Sequence, residues 1–284
     1  MPRNIGIDIG GTWCRTYLFD EDYTVLAQSQ TSTPMQPELL TPTIVEQINL
    51  ITPDGDFASI GVAIPGAVDI ENGTVSNAVN LNIPDSPFGL RHKLESSVGK
   101  PVRLVNDANA ATIGARTLLA GLVAPNETTA YVGIGTGLGV GIISGGQLQT
   151  GHSGLAGEYG HIPYGSQGLL CKCGQLDCLE LYCSGSALER LGVRLGSPSE
   201  HPSANEITFV KALVWLLETI CLTIDPAVIQ IGGGVAAARE HLELRLQEQL
   251  TGASGLVKTL DILARISWVG DAPVGAIGTI AEIQ

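Results

Sequence analysis

Between Gly157 and Glu180 the chain reads GEYGHIPYGSQGLLCKCGQLDCLE, one His, three Cys and two flanking Glu in a single loop-like run. A structural zinc takes four nitrogen or sulfur ligands at short spacing, and His161, Cys171, Cys173 and Cys178 make up such a set. Four protein ligands leave no open position, so the metal would fix the shape of the loop and would not activate water. Glu158 and Glu180 are carboxylates that could hold a polyol beside it. The competing readings are small buried thiols or a disulfide, although a bridge between Cys171 and Cys173, two residues apart, would be strained. Cys14, Cys183 and Cys221 stand in apolar surroundings, where an inert thiol is expected.

Two glycine clusters offer a second kind of chemistry. Gly10-Gly11-Thr12 and Gly135-Thr136-Gly137 each follow an apolar run, and such loops can turn consecutive backbone N–H groups toward phosphate oxygens. Either alone could be an ordinary hairpin turn. A dinucleotide fingerprint fits poorly, because Gly133 to Gly139 leads into the strand-like Val140 to Ile143 where a helix would be needed. Asp8, just before the first pair, could hold Mg²⁺ through water, with a solvated turn as the alternative. Arg15 lies just past the loop, within reach of a phosphate. Asn106-Asp107 closes a buried run ahead of a helix, at the edge where open α/β sheets place ligands; an N-cap is the plainer role for Asp107. Two phosphate-type loops, an Asp after a buried strand and a polar zinc-shaped loop together suit phosphoryl transfer to a hydroxyl. Such a reaction needs a carboxylate to accept the hydroxyl proton, and Asp107 is the candidate base.

The elements that must position these groups alternate between strands and helices. Asn4 to Ile9, Thr16 to Asp20 and Val25 to Gln30 predict a meander, followed by a helix over Glu38 to Ile51. Ser59 to Ile64 and Val102 to Val105 predict buried strands, and Ala108 to Ala120 a helix. The second cluster repeats the first: strand Thr129 to Val132, glycine turn, strand Val140 to Ile143. Two similar halves are implied. A long helix Asn205 to Ile224, a strand Val228 to Ile231 ending in Gly232-Gly233-Gly234, a helix Arg239 to Leu250, a strand Ile266 to Val269 and a helical Pro273 to Ile283 complete an α/β class.

Composition bounds the rest. At 284 residues, 44% hydrophobic and 15% charged, the chain is long enough for two globular domains. Its 15 basic and 28 acidic residues give a net charge of −13, which repels nucleic acid. Any anionic ligand must therefore be held by local backbone dipoles and a divalent cation. The opening MPRNIGIDIGG enters a strand at once, and the apolar stretch Leu213 to Ile224 is short and interrupted by Glu218. The expectation is a cytoplasmic protein with no membrane association.

Taken in order, IGIDIGGT, GVAIPGAVD (Gly61 to Asp69), NDANAA (Asn106 to Ala111), GIGTGLG, AGEYGHI, the cysteine run and IGGG resemble the bacterial ROK-family sugar kinases over nearly the whole length. The resemblance implies an actin-like ATPase fold, a duplicated ribonuclease H-like arrangement of two domains with a central cleft. A small domain would span 1–115, completed by 273–284, and a larger one 116–272 would carry the zinc loop. Asp8, Gly10, Gly11 and Thr12 would form the first phosphate loop, Gly135, Thr136 and Gly137 the second, and Gly233 and Gly234 would approach adenosine. Asp107 would be the base. Gly66, Asn80, Asn106, Glu158, His161 and Glu180 would surround the sugar, with His161 also on zinc through its other nitrogen. ATP, Mg²⁺ and structural Zn²⁺ are the implied cofactors and a homodimer the implied assembly. Three positions depart from the family pattern: His152-Ser153, Asp177 in place of a Gly before the last Cys, and TIGAR after NDANAA. The GHIP and CSG segments are similar to allose kinases, so the lean is to allose or a glucose-like hexose. N-acetylmannosamine, N-acetylglucosamine and fructose kinases share the same site residues. The family's sugar-responsive repressors carry a helix-turn-helix ahead of the first loop, where only Met1 to Ile5 stand here; that reading and a nucleotide hydrolase are the rivals.

Overall fold

The computed structural model describes residues 3–196, 202–251 and 260–281. The chain divides into two compact units, Met1–Leu118 together with Pro273–Gln284, and Leu119–Ala272.

In the first unit, β1 (Asn4–Ile9), β2 (Trp13–Phe19) and β3 (Val25–Ser32) form an antiparallel meander. The helix α1 (Leu40–Ile51) follows, then β4 (Ser59–Ile64) pairs parallel to β1. A small hairpin of β5 (Ala67–Asp69) and β6 (Thr74–Ser76) precedes α2 (Leu90–Val98), β7 (Val102–Asn106) and α3 (Asp107–Thr117). The sheet runs β3-β2-β1-β4-β7. The alternation in NIGIDI and SIGVAI decides its two faces. Ile5, Ile7, Ile9, Ile60, Val62 and Ile64 are buried in a core with Ile44 and Ile48 of α1 and Leu90 and Leu94 of α2. Gly6, Asp8 and Gly61 face the other way, toward the C-terminal helix Val274–Ile280.

That helix, GAIGT in its middle, is built for close approach. A Cβ at Gly61 would collide with Thr279, one at Gly114 of α3 with the Val274 carbonyl, and one at Gly278 with the Ala110 carbonyl. Backbone lies on backbone, which only glycine permits. The helix ends at Ile280, Ala281 is already extended, and the predicted last residues beyond it fall outside the described part of the chain.

In the second unit the same plan recurs. β8 (Thr129–Ile134), β9 (Leu138–Ser144) and β10 (Gln147–Leu148) form a meander. After α4 (Gly185–Leu191) and α5 (Ala204–Ile224), β11 (Val228–Gly232) pairs parallel to β8. Then come α6 (Arg239–Leu250), α7 (Ile262–Arg265) and β12 (Ile266–Trp268), parallel to β11, giving the order β10-β9-β8-β11-β12. Strand order and every strand sense match the first unit. The duplicated ribonuclease H-like arrangement is that of the actin-like ATPase fold, of α/β class.

The stretch Leu213 to Ile224 is the second half of α5. At 21 residues and a mean hydropathy of 1.9 this helix is long and apolar enough to cross a membrane, so the shortness assigned to the stretch does not hold. Phe209, Leu213, Leu216, Leu217 and Ile220 are buried in the unit's core with Val132, Ile134, Ile229 and Ile231. The final helix, labelled α8 below, is Val274–Ile280.

Candidate active site

The first glycine loop is a tight connection between β1 and β2. The Gly10 N–H donates to the Trp13 carbonyl at 2.9 Å, the Thr33 hydroxyl donates to the Gly10 carbonyl at 2.7 Å, and the Thr33 N–H donates to the Thr12 carbonyl at 2.9 Å. Among the described residues no acceptor engages the Gly11 or Thr12 N–H. A Cβ at Gly11 would rest 3.3 Å from that of Asn80, which stands exposed on a single 3-10 turn, Val79–Leu81. Asp8 faces α8, where a Cβ at Gly275 would lie 3.1 Å from its carboxyl carbon. Desolvation at this strand end pushes the Asp8 carboxyl above its ordinary value; the charge of Asp107 adds to the rise and that of Arg15 opposes it.

Asp107 opens α3 with Asn106 as its N-cap. The Asn106 Oδ1 accepts from the N–H groups of Ala108 at 3.0 Å and Asn109 at 3.2 Å, while its Nδ2 donates to the Gly66 carbonyl at 3.1 Å. The plainer role weighed for Asp107 therefore belongs to its neighbour. Asp107 is half-buried, and one carboxylate oxygen accepts from the Ala108 N–H at 2.9 Å. Gly66 sits at φ +103 between Ser76 and Ala78.

The second loop likewise joins two antiparallel strands, β8 and β9, by a tight glycine turn. The Gly135 N–H closes the turn onto the Gly137 carbonyl at 3.0 Å, and the N–H groups at the start of α4 bind the loop's carbonyls, Gly185 to Gly135 at 2.7 Å and Ser186 to Thr136 at 3.2 Å. The Thr136 and Gly137 N–H groups have no acceptor among the described residues. Gly233, at φ +83, packs on the Ile134 backbone just before this loop, and Gly234 begins the turn into α6. The Glu180 Oε2 would lie 3.2 Å from a Cβ at Gly137, so its carboxylate borders the loop.

The zinc-shaped set converges. The ligand atoms of His161, Cys171, Cys173 and Cys178 lie within 4.8 Å of one another. The Cys173 and Cys178 sulfurs are 3.6 Å apart, and the Cys171 sulfur is 3.7 Å from His161 Nδ1. Zinc–sulfur bonds of about 2.3 Å at tetrahedral angles put ligand atoms about 3.7 Å apart. The donor set and its spacing thus fit zinc, and all six cysteines are unbridged. His161 turns Nδ1 to the sulfurs and carries Nε2 on the side of Glu158, 3.8 Å from Oε2. Glu180 Oε1 is 3.2 Å from the Cys171 sulfur and 3.9 Å from His161 Nδ1. The GEYGH segment is pressed on β9: a Cβ at Gly157 would meet the Val140 carbonyl and one at Gly160 the Leu138 carbonyl.

Comparison with known proteins fits these features. The ROK family model matches residues 4–264. The chain belongs to the ROK family. It is 37% identical to a glucokinase of Streptomyces coelicolor over 190 residues, which cover 67% of this chain but only 59% of that protein. An N-acetylmannosamine kinase of Vibrio cholerae is 33% identical over 258 residues, 85% of this chain and 87% of its own. The crystal structure of a ROK family glucokinase from Streptomyces griseus in complex with glucose and AMPPNP superposes with a TM-score of 0.76 at 28% identity, covering 98% of this chain and 97% of that one.

Within this ROK chain the departures from the family pattern acquire physical content. Asp177 takes the left-handed conformation, φ +55. Its carboxylate accepts from the Tyr182 hydroxyl at 2.7 Å and from the N–H groups of Gln167, Gly168 and Leu169 at 3.2, 2.9 and 3.0 Å. Those bonds, the tyrosine's foremost, hold its carboxyl below the ordinary value. An Asp in place of Gly keeps the turn and adds an anchor for the strand of chain entering the cysteines. Sequence reasoning saw only the lost glycine, because the N–H groups lie up to ten residues away. His152 and Ser153 are exposed.

Proposed function

We propose that this chain is an ATP-dependent sugar kinase that transfers the γ-phosphoryl group of ATP to a hydroxyl of a hexose. The observation that carries this reading is the division of labour at the start of α3. Asn106 caps the helix, and the half-buried Asp107 carboxylate, the general base of this reading, opens that helix in the unit that also carries Asp8 and the unengaged N–H groups of Gly11 and Thr12.

Asp107 takes the proton of the attacking hydroxyl as its oxygen bonds to phosphorus; the bond from phosphorus to the bridging oxygen breaks and ADP leaves with the electron pair. The N–H groups of Gly11, Thr12, Thr136 and Gly137 bind phosphate oxygens, and Gly233 and Gly234 approach the adenosine. Asp8 would hold Mg²⁺ through water, and the metal neutralises charge on the phosphates when bound. Gly66, Asn80, Asn106, Glu158, His161 and Glu180 orient the sugar. His161, Cys171, Cys173 and Cys178 would hold zinc, which would fix the His161 ring through Nδ1 and leave Nε2 to face a sugar hydroxyl. The similarity to glucokinases supports glucose or a close epimer such as allose, and the match to an N-acetylmannosamine kinase supports that amino sugar as the second reading.

ADP release with Mg-ATP and a panel of glucose, allose, mannose, fructose, N-acetylmannosamine and N-acetylglucosamine tests the reading. One sugar is expected to stimulate turnover well above the rest. In Asp107→Asn, kcat should fall by about 10²–10⁴ with sugar affinity kept, as for loss of a general base. An unstimulated wild type, or an active Asp107→Asn, would sink the proposal.

A further inference from the structure

Asp8 and Arg15 are direct cross-strand partners in the β1–β2 pair, so their side chains share one face of the sheet. Arg15 is in turn opposite Gln30 in β3, and its Nε donates to the Gln30 Oε1 at 3.0 Å. That bond fixes the plane of the guanidinium while using only one of its donors. Among the described residues neither terminal nitrogen meets an acceptor, and no carboxylate lies within 4.0 Å of the group. The side chain is half-buried, three residues beyond Thr12 and its unengaged N–H.

The charge around it is unbalanced. Asp8 and Asp107 raise the negative potential together, and Arg15 is the cation that acts on Asp8 against them. Tyr17, two residues along the same face, also feels Arg15 and Asp8 with opposite sign. Transferring a phosphoryl group past two carboxylates requires positive charge close to the transferred oxygens, and a chain of 15 basic against 28 acidic residues has little to spare. An arginine fork, pre-oriented on one nitrogen and open at the other two, matches the tetrahedral edge of a phosphate.

We infer that Arg15 is a phosphate-binding residue of the first loop: its terminal nitrogens bind the phosphate chain of the nucleotide beside the N–H groups of Gly11 and Thr12, with Gln30 as its positioning residue. The inference rests on the kinase reading for the identity of the anion as ATP, but the affinity for a polyphosphate does not. Bound there, the guanidinium neutralises charge that Asp8 and Asp107 would otherwise repel.

Two readouts separate the inference from the reading beneath it. In steady-state assays with the preferred sugar, Arg15→Gln should lower kcat/KM for ATP by about 10²–10³, leave the KM for sugar within about twofold, and be partly rescued by Arg15→Lys. Gln30→Ala, which frees the guanidinium, should lower kcat/KM for ATP by about tenfold. The exposed Lys93→Gln makes the same change in net charge and should behave as wild type. Calorimetric titration with inorganic tripolyphosphate, needing no turnover, should show at least about tenfold weaker binding to Arg15→Gln. If wild type turns over no sugar, the kinase reading fails and the tripolyphosphate titration still decides for or against Arg15. If wild type is active and Arg15→Gln matches it within twofold for both ATP and tripolyphosphate, Arg15 is not a phosphate ligand. Should Arg15→Gln not fold, Arg15→Lys carries the same two readouts, with a smaller loss expected and wild-type values again overturning the inference.

Discussion

Asn106 and Asp107 are neighbours of nearly equal size, yet it is the amide that caps the helix, while the carboxylate accepts from the Ala108 N–H. The amide both accepts from the first helical N–H groups and donates to Gly66, a pairing that a carboxylate could not make. Asp177 shows the reverse case, where only an anion serves, because its carboxylate gathers three N–H groups and a tyrosine hydroxyl. Asp177→Ala should therefore weaken zinc retention by about 10–100-fold, measured by competition with a chromogenic chelator, since the segment leading to Cys171 loses its anchor. The thiols divide in the same way. Burial pushes Cys14 up to about 12 and raises Cys183 as well, so both stay protonated and unreactive at neutral pH. Alkylation of native protein should leave Cys14 and Cys183 unlabelled with or without chelator. Cys171, Cys173 and Cys178 should become labelled only once metal is removed, as mass spectrometry of tryptic peptides would report; equal labelling without chelator would argue against a metal-bound set.

At the scale of elements, the small residues of α3 and α8 matter more than their hydrophobicity. Gly114 and Gly278 let two helices meet backbone to backbone, and α8 in turn lies on Gly6 and Gly61 of the central strands. Gly278→Ala should cost about 1–3 kcal/mol or more in urea unfolding, although alanine is the better helix former by about 1 kcal/mol. A neutral or stabilising result would mean that the pair separates readily. The strands and glycine turns were readable from alternation and punctuation, and Arg239–Leu250 was placed to the residue. The β5–β6 hairpin and α2 were not, because three-residue strands carry no period and the polar run Arg91-His92-Lys93 separates the two buried leucines of α2. β2 begins at Trp13, earlier than the predicted Thr16: Trp13 is exposed and Arg15 half-buried, so the polarity of the side chains does not follow the burial of this stretch.

On the scale of the whole molecule, the first unit depends on the far end of the chain. Val274, Ala276 and Ile277 are buried in it, and without α8 the glycine faces of β1, β4 and α3 would open to water. A chain ending at Ala272 is expected to melt at least about 10 °C lower than the full chain by circular dichroism, given about 1.5–3 kcal/mol for each large apolar side chain uncovered. An unchanged melting temperature would contradict that dependence. The net charge of −13 belongs to this scale too: with 15 basic residues against 28 acidic ones, each cation has large leverage on the local potential.

The linear chain by itself determined the repeat of strand, glycine turn and strand, the α/β class, the four metal-type ligands and the carboxylate after a buried strand, because each is a local pattern of residue types. Only the tertiary structure decided that Asn106 caps the helix in place of Asp107, that Asp177 anchors a segment ten residues upstream, and that Arg15 stands across from Asp8 with both terminal nitrogens unspent. Those outcomes depend on which groups meet across strands and between distant loops, and local sequence holds no record of such meetings.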